Sequence, residues 1–343
     1  MRKSEYRNAT LDIAKGMSII LMTLSHLVVF QESSFVKYLN SYLSISKMPL
    51  FIIISGILLS MKHDALKFIF NKFDSLMKPT IMIIFLFILI YISYNYLNYG
   101  VIGKLKSVNA VVFPLWFISS LFITQVIFYL LVKNKIKSHN YVLIISFLLI
   151  IFYYFQYTGL EFFNLIKLHT ILSFLIFFGI GFLIKRFNLL SSLISYKIFF
   201  ISIFAISLPL FFRDDLNIAL GLAVGVYGDF LPTLFTALLG FLFFINLSNF
   251  FCNSIILIRI FVLFSKSSFF ILAFHIVFER FVISLIGFLG YERNILIDSM
   301  IFIATISLCI LMYFVMKNIP YINSLFFPLK VIGKNKVFLS HRG

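Results

Sequence analysis

The chain has 343 residues, of which 62% are hydrophobic and 12% charged, with a mean hydropathy of +1.06 and a net charge of +17. So few polar groups cannot clothe a water-facing surface, which excludes a soluble domain. The basic residues are scattered between apolar blocks rather than gathered in a run with interleaved aromatics, which excludes a nucleic-acid surface.

The apolar blocks run to roughly 20 residues, the length a helix needs to cross about 30 Å of hydrocarbon. Stretches such as Ile81–Ile92 are apolar at every position, whereas a membrane strand alternates, so the pattern predicts an all-α, polytopic integral membrane bundle. Windows of about 19 residues predict about ten transmembrane helices, near 11–30, 41–61, 79–99, 112–132, 141–158, 168–185, 197–212, 230–250, 268–289 and 297–316. The first block, 13–30, lacks a small-residue cleavage pattern and is interrupted by Lys15, Gly16 and His26, so it reads as a retained helix. The stretch 217–228, glycine-rich and preceded by Arg213-Asp214-Asp215, reads as a loop. No repeat or soluble unit breaks the chain. Residues 1–343 read as one membrane domain, with a bundle to about 318 and a basic tail over 319–343.

With both termini placed in the cytoplasm, about 20 Lys and Arg fall on inner segments and about 7 on outer ones, the expected bias. The acids run the other way, with Glu32, Glu161, Asp214, Asp215, Asp229, Glu292 and Asp298 all on outer segments. Cys252 and Cys309 lie in apolar surroundings without metal-ligand spacing, so they read as core packing and no metal is expected.

Ionisable residues inside hydrocarbon are costly unless paired or facing a cavity, so the few present are the candidates for chemistry. Asp12 and Lys15 stand three apart on one face, one turn from the inner end, where either a functional pair or an ion pair snorkelling to the interface fits. His26 lies about 21 Å further along the helix, near the outer side. His275 and Glu279, four apart, fit either a carboxylate orienting an imidazole or a polar clamp between helices.

These residues sit inside recognisable motifs. The run Arg7-Asn8-Ala9-Thr10-Leu11-Asp12-Ile13-Ala14-Lys15-Gly16, followed by Ser25-His26, resembles the opening signature of the acyltransferase-3 family, in particular its sugar O-acetylase branch, similar to fucose 4-O-acetylases. Lys47-Met48-Pro49-Leu50-Phe51 with Ser55-Gly56, then Pro114-Leu115-Trp116-Phe117, then Ser265-Lys266-Ser267-Ser268-Phe269 ending at His275, are similar to later landmarks of that family in the same order.

The resemblance implies an enzyme of the bacterial cytoplasmic membrane that takes an acetyl group from cytoplasmic acetyl-CoA and delivers it to a hydroxyl of a surface polysaccharide, such as O-antigen or capsule, or of its lipid-linked precursor. It makes His26 the leading catalytic residue, with Asp12 and Lys15 beside it on the helix. An imidazole with a pKa near 6.5 is suited either to remove a sugar hydroxyl proton or to carry the acyl group. CoA contacts are expected from Arg7, Lys72, Lys78 and His275, although Asp74 stands where the family usually shows the second of two arginines. An extended pantetheine arm, on the order of 20 Å, would then bring the thioester from the inner mouth toward His26. Candidate acceptor contacts are Trp116 and the outer-loop residues Asp214, Asp215 and Tyr227. A transporter or flippase would also place charges on bundle-facing helices, but it should carry two related halves with broken helices, and the chain shows none.

Overall fold

In the computed structural model, the residues described are 3–25, 34–99, 115–133, 138–158, 168–211, 220–222 and 226–329. They are almost entirely helical. In chain order the helices are α1 (Lys3–Leu24), α2 (Ser34–Ile57), α3 (Ala65–Lys72), a π-helical turn (Phe73–Met77), α4 (Lys78–Tyr99), α5 (Trp116–Val132), α6 (Ser138–Thr158), α7 (Leu168–Arg186), the short α8 (Leu190–Leu193), α9 (Tyr196–Phe211), α10 (Phe230–Phe251), α11 (Ile255–Phe288), α12 (Ile295–Asn318) and α13 (Pro320–Phe326). A two-residue antiparallel ladder pairs Leu220 with Tyr227 and Gly221 with Val226.

Each predicted apolar segment falls on one of these helices, although α2 ends at Ile57 rather than at 61, and residues 26–30, 112–114 and 212 lie outside the described residues. Three regions differ. The polar stretch before the third segment is helical, because α3, the π turn and α4 run on without a break from 65 to 99. The ninth segment begins at 255 rather than 268, since Ser265 to Ser268, polar in sequence, face the interior instead of ending the helix, with only Lys266 exposed. The stretch 217–228 carries the small hairpin. α13 also folds the first part of the expected tail back against α4 and α12.

The environment is written on the surface. Ile13, Leu50, Ile52, Ile53 and Phe174 are buried, yet Phe85, Ile90, Leu143, Phe147, Phe200, Phe204, Phe281 and Phe288 are exposed on the outer faces of their helices. Water would not tolerate that much outward apolar surface, whereas hydrocarbon does. Four described helical stretches, 65–90, 231–251, 255–288 and 295–318, are long and apolar enough to cross a membrane, and shorter apolar helices accompany them. The protein is a multi-pass membrane protein.

Two helices occupy the centre. α1 packs on α2, α10 and α11, while α2 packs on α1, α7 and α10, and the remaining helices form an outer layer on these. Lipid gives no hydrophobic drive between helices, so close packing needs small residues at the contacts. Gly56 of α2 and Gly181 of α7 supply it, since a Cβ at either would lie 2.1 Å from the Phe178 carbonyl oxygen or 2.0 Å from that of Ile53.

Candidate active site

α1 and α11 meet backbone to backbone. A Cβ on Gly16 would stand 2.4 Å from the carbonyl oxygen of Phe261, so only glycine allows the approach. One turn away on both helices, Ser265 donates to Asp12 Oδ1 at 3.4 Å. Asp12, Lys15 and Gly16 thus share one face of α1 because they are three and four residues apart, and the glycine sets the distance at which the carboxylate meets α11.

That face opens onto a cavity of about 560 Å³ lined by Asp12 and Lys15 of α1, by Ser265 and Lys266 of α11, and by segments of α2, the π turn, α5 and residues 326–328. The Lys15 ammonium lies 5.3 Å from the centroid of Phe51. Lys72, at the end of α3, lies 5.5 Å from the Phe68 ring and within Coulombic reach of Lys15. The π turn that follows brings Ser75 and Leu76 to the same wall, and such turns recur at functional sites because the wider winding redirects side chains. Three cations and one carboxylate therefore ring the cavity, an arrangement that favours a polyanionic ligand.

The cavity is a slot. Its α5 wall runs from Phe117 to Gln125, about 12 Å of helix, and Phe51, Phe117, Phe269, Phe270 and Phe327 make most of its surface apolar. Within it Gln125 is 5% exposed, and its Oε1 has no hydrogen-bond partner among the described residues. A buried carboxamide among the residues lining the slot can accept an amide N–H.

Beyond Phe51, one turn along α2, comes Lys47. Its ammonium donates to Ser25 Oγ at 2.5 Å, the Ser25 hydroxyl donates to the Met22 carbonyl, and Ser18 donates to the Lys47 carbonyl. Lys47 therefore anchors the residue immediately before His26. His26 itself, Asp214, Asp215 and the side chains of Arg7 and Tyr227 lie outside the described residues.

Asp74, which stands in the π turn where a second arginine was expected, accepts from Lys78 at 2.6 Å and from the Leu329 backbone N–H at 2.9 Å, while Lys78 also donates to the Phe327 carbonyl. Lys78 is thus engaged in fastening residues 327–329, part of the cavity wall, and does not itself line the slot. His275 is buried outside the slot, and its Nδ1–H reaches the Ile271 carbonyl at 2.8 Å, with that of Leu272 at 3.1 Å. Backbone carbonyls rather than Glu279 hold that nitrogen, leaving the lone pair on Nε2. Trp116 stands at the start of α5, half-buried, edge-on to Phe117 and Phe174. Cys252 and Cys309 are buried free thiols, as core packing requires.

Sequence reading missed Gln125, Ser265, Lys266 and Lys47 as site residues. Ser265, Lys266 and Lys47 belonged to quoted motifs, and what gave no warning was which face of each helix they occupy. Gln125 alone could have been found, as the single carboxamide of α5.

A family model described as an acyltransferase domain, that of the acyltransferase-3 family, matches residues 8–314, nearly the whole bundle. No curated protein and no solved structure matches the chain.

Proposed function

The chain belongs to the acyltransferase-3 family, and from that premise we propose that it is a transmembrane O-acetyltransferase of a bacterial cytoplasmic membrane, moving acetyl from cytoplasmic acetyl-CoA to a hydroxyl of a surface glycan or its lipid-linked precursor. The reading includes about ten crossings with both termini in the cytoplasm. A sugar O-acetylase branch of the family accords with the motifs around Asp12, Lys15 and Ser25.

The observation that carries it is the slot. Its cationic rim of Lys15, Lys72 and Lys266 suits the phosphates of CoA, its apolar walls suit the pantetheine arm, and its α2 wall ends one turn from the Lys47–Ser25 contact beside His26. The lysines act as point charges in place of the family's bidentate arginines.

In the simplest course, neutral His26 takes the proton of the acceptor hydroxyl as its oxygen attacks the thioester carbonyl. The C–S bond then breaks and the departing thiolate is protonated, giving the acetyl ester and free CoA. If His26 carries the acyl group instead, its nitrogen makes the first attack and the sugar hydroxyl the second. Asp12, held by Ser265, and Lys15 keep the rim ordered, and Trp116 offers a ring face to a sugar on the opposite side. Outer-loop Asp214, Asp215 and Tyr227 complete the proposed acceptor site.

The test compares glycan acetyl content by mass spectrometry in cells carrying the intact protein or His26→Ala at equal membrane abundance. Acetylation should fall to background in the variant. Undiminished acetylation removes His26 from the mechanism, and acetyl-CoA-independent movement of the glycan across the membrane would make the protein a transporter.

A further inference from the structure

A second cavity, of about 690 Å³, lies where four helix ends converge: the C-terminal ends of α2, α5 and α7 and the N-terminal end of α6. Leu59, Met61, Val132 and Phe182 form its apolar floor, and Lys133, Lys185 and Arg186 stand at its rim. Among the described residues its lining contains no acid. His63 and the phenols of Tyr129 and Tyr141 complete it, and Lys62 lies within Coulombic reach of Lys185. The neighbouring carboxylate, Asp64, interacts with Tyr129 but does not enter the cavity. No residue is shared with the slot described above.

The walls are fixed from within. Lys185 donates to the Leu59 carbonyl at the end of α2, and the Tyr129 phenol donates to the His63 carbonyl. The cleft is therefore a formed feature rather than a gap between loose ends. Its flanks are exposed and apolar: Leu130 and Leu131 on α5, Val142 and Leu143 on α6, Phe187 and Leu189 after α7. A cationic rim, an apolar floor and lipid-facing flanks describe a ligand that is anionic at one end and hydrocarbon at the other.

We propose that this cleft, walled by Leu59, Tyr129, Tyr141 and Phe182 and rimmed by Lys133, Lys185 and Arg186, binds the phosphate headgroup of an anionic phospholipid. Basic clefts between helices at the cytoplasmic face, together with interfacial tyrosines, are what such headgroups require. A free nucleotide or inorganic phosphate would make no use of the apolar flanks. The assignment to the inner leaflet rests on the topology proposed above, while the binding chemistry does not depend on acyl transfer.

The test is a native mass-spectrometry titration of delipidated full-length protein with phosphatidylglycerol or phosphatidylcholine of matched chains. Each of the three rim cations contributes about fivefold, so phosphatidylglycerol should bind the intact protein about a hundredfold more tightly than phosphatidylcholine. Lys133→Gln with Arg186→Gln should reduce that preference to about fivefold, the share left to Lys185, and the charge-preserving pair Lys133→Arg with Arg186→Lys should retain it. An unchanged preference in the glutamine variant would overturn the assignment. So would displacement of phosphatidylglycerol by equimolar CoA or inorganic phosphate, which would make the cleft a soluble-anion site. Because lipid retention is the readout, failure here is separable from failure of the acetyltransferase reading.

Discussion

Replacing Gln125 by leucine should strengthen the protein and weaken its hold on the acyl donor at once. The side chain is 5% exposed and its Oε1 lacks a partner among the described residues, so the free protein carries a desolvated acceptor costing ~1–3 kcal/mol. Leucine, similar in size, removes that cost and should stabilise the fold by about 1 kcal/mol, raising Tm by about 2 °C. In the proposed donor complex the same oxygen receives a pantetheine amide N–H, and its loss forfeits about 1.5 kcal/mol, or roughly a tenfold rise in KM for acetyl-CoA. That contact forms in ground and transition states alike, so kcat should stay within about twofold. Thermal unfolding in detergent and CoA-thiol release against acetyl-CoA concentration give the two numbers. A variant that melts lower and keeps its KM would show that Gln125 is a satisfied core residue and that the slot does not hold the arm.

Gly16→Ala places a methyl 2.4 Å from the Phe261 carbonyl oxygen, so α1 and α11 must part, costing about 1–3 kcal/mol, visible as a lower Tm together with lost donor binding. Lys47→Met removes the ammonium that anchors Ser25; acetyl transfer should fall about 100-fold with gel-filtration behaviour unchanged, and an active variant would make Lys47 a packing residue. Asp74→Ala frees Lys78 and the Leu329 N–H together. It should cost ~1.5–3 kcal/mol, with faster amide exchange at 326–329 as the specific sign.

The helices were legible because hydrocarbon demands long apolar runs, and the chain supplies them with cations at the predicted inner ends. What escaped were the helical stretches that carry charged or hydroxyl side chains. α3 was left out of the predicted segments because Lys67 and Lys72 outweigh the single buried ring of Phe68, although that ring stacks on Tyr129 at 3.9 Å and pins the helix to α5. α11 was cut short at its N-terminal side because Ser265-Lys266-Ser267-Ser268 looks like a boundary, when three of the four are buried against neighbours. In the site, the spacing of Asp12 and Lys15 placed them on one helical face, and the motif around them marked them as candidates. Their partner Ser265 was not legible, because a contact spanning 253 positions depends on a glycine setting the distance between two helices.

A contact between distant positions also accounts for the acid that stands where a second arginine was expected. In the π turn Asp74 points away from the slot, toward the C-terminal segment, and its two oxygens take one cation and one backbone N–H. An arginine there would leave the Leu329 N–H without its acceptor and place a guanidinium beside Lys78, a repulsion in a partly buried pocket. Asp74 therefore closes a wall instead of adding a cation, since Phe327 and Pro328, held by this junction, line the slot together with Lys15. Charge at the rim is kept by Lys72 and Lys266, so the exchange changes how the ligand is gripped rather than which ligand the slot suits.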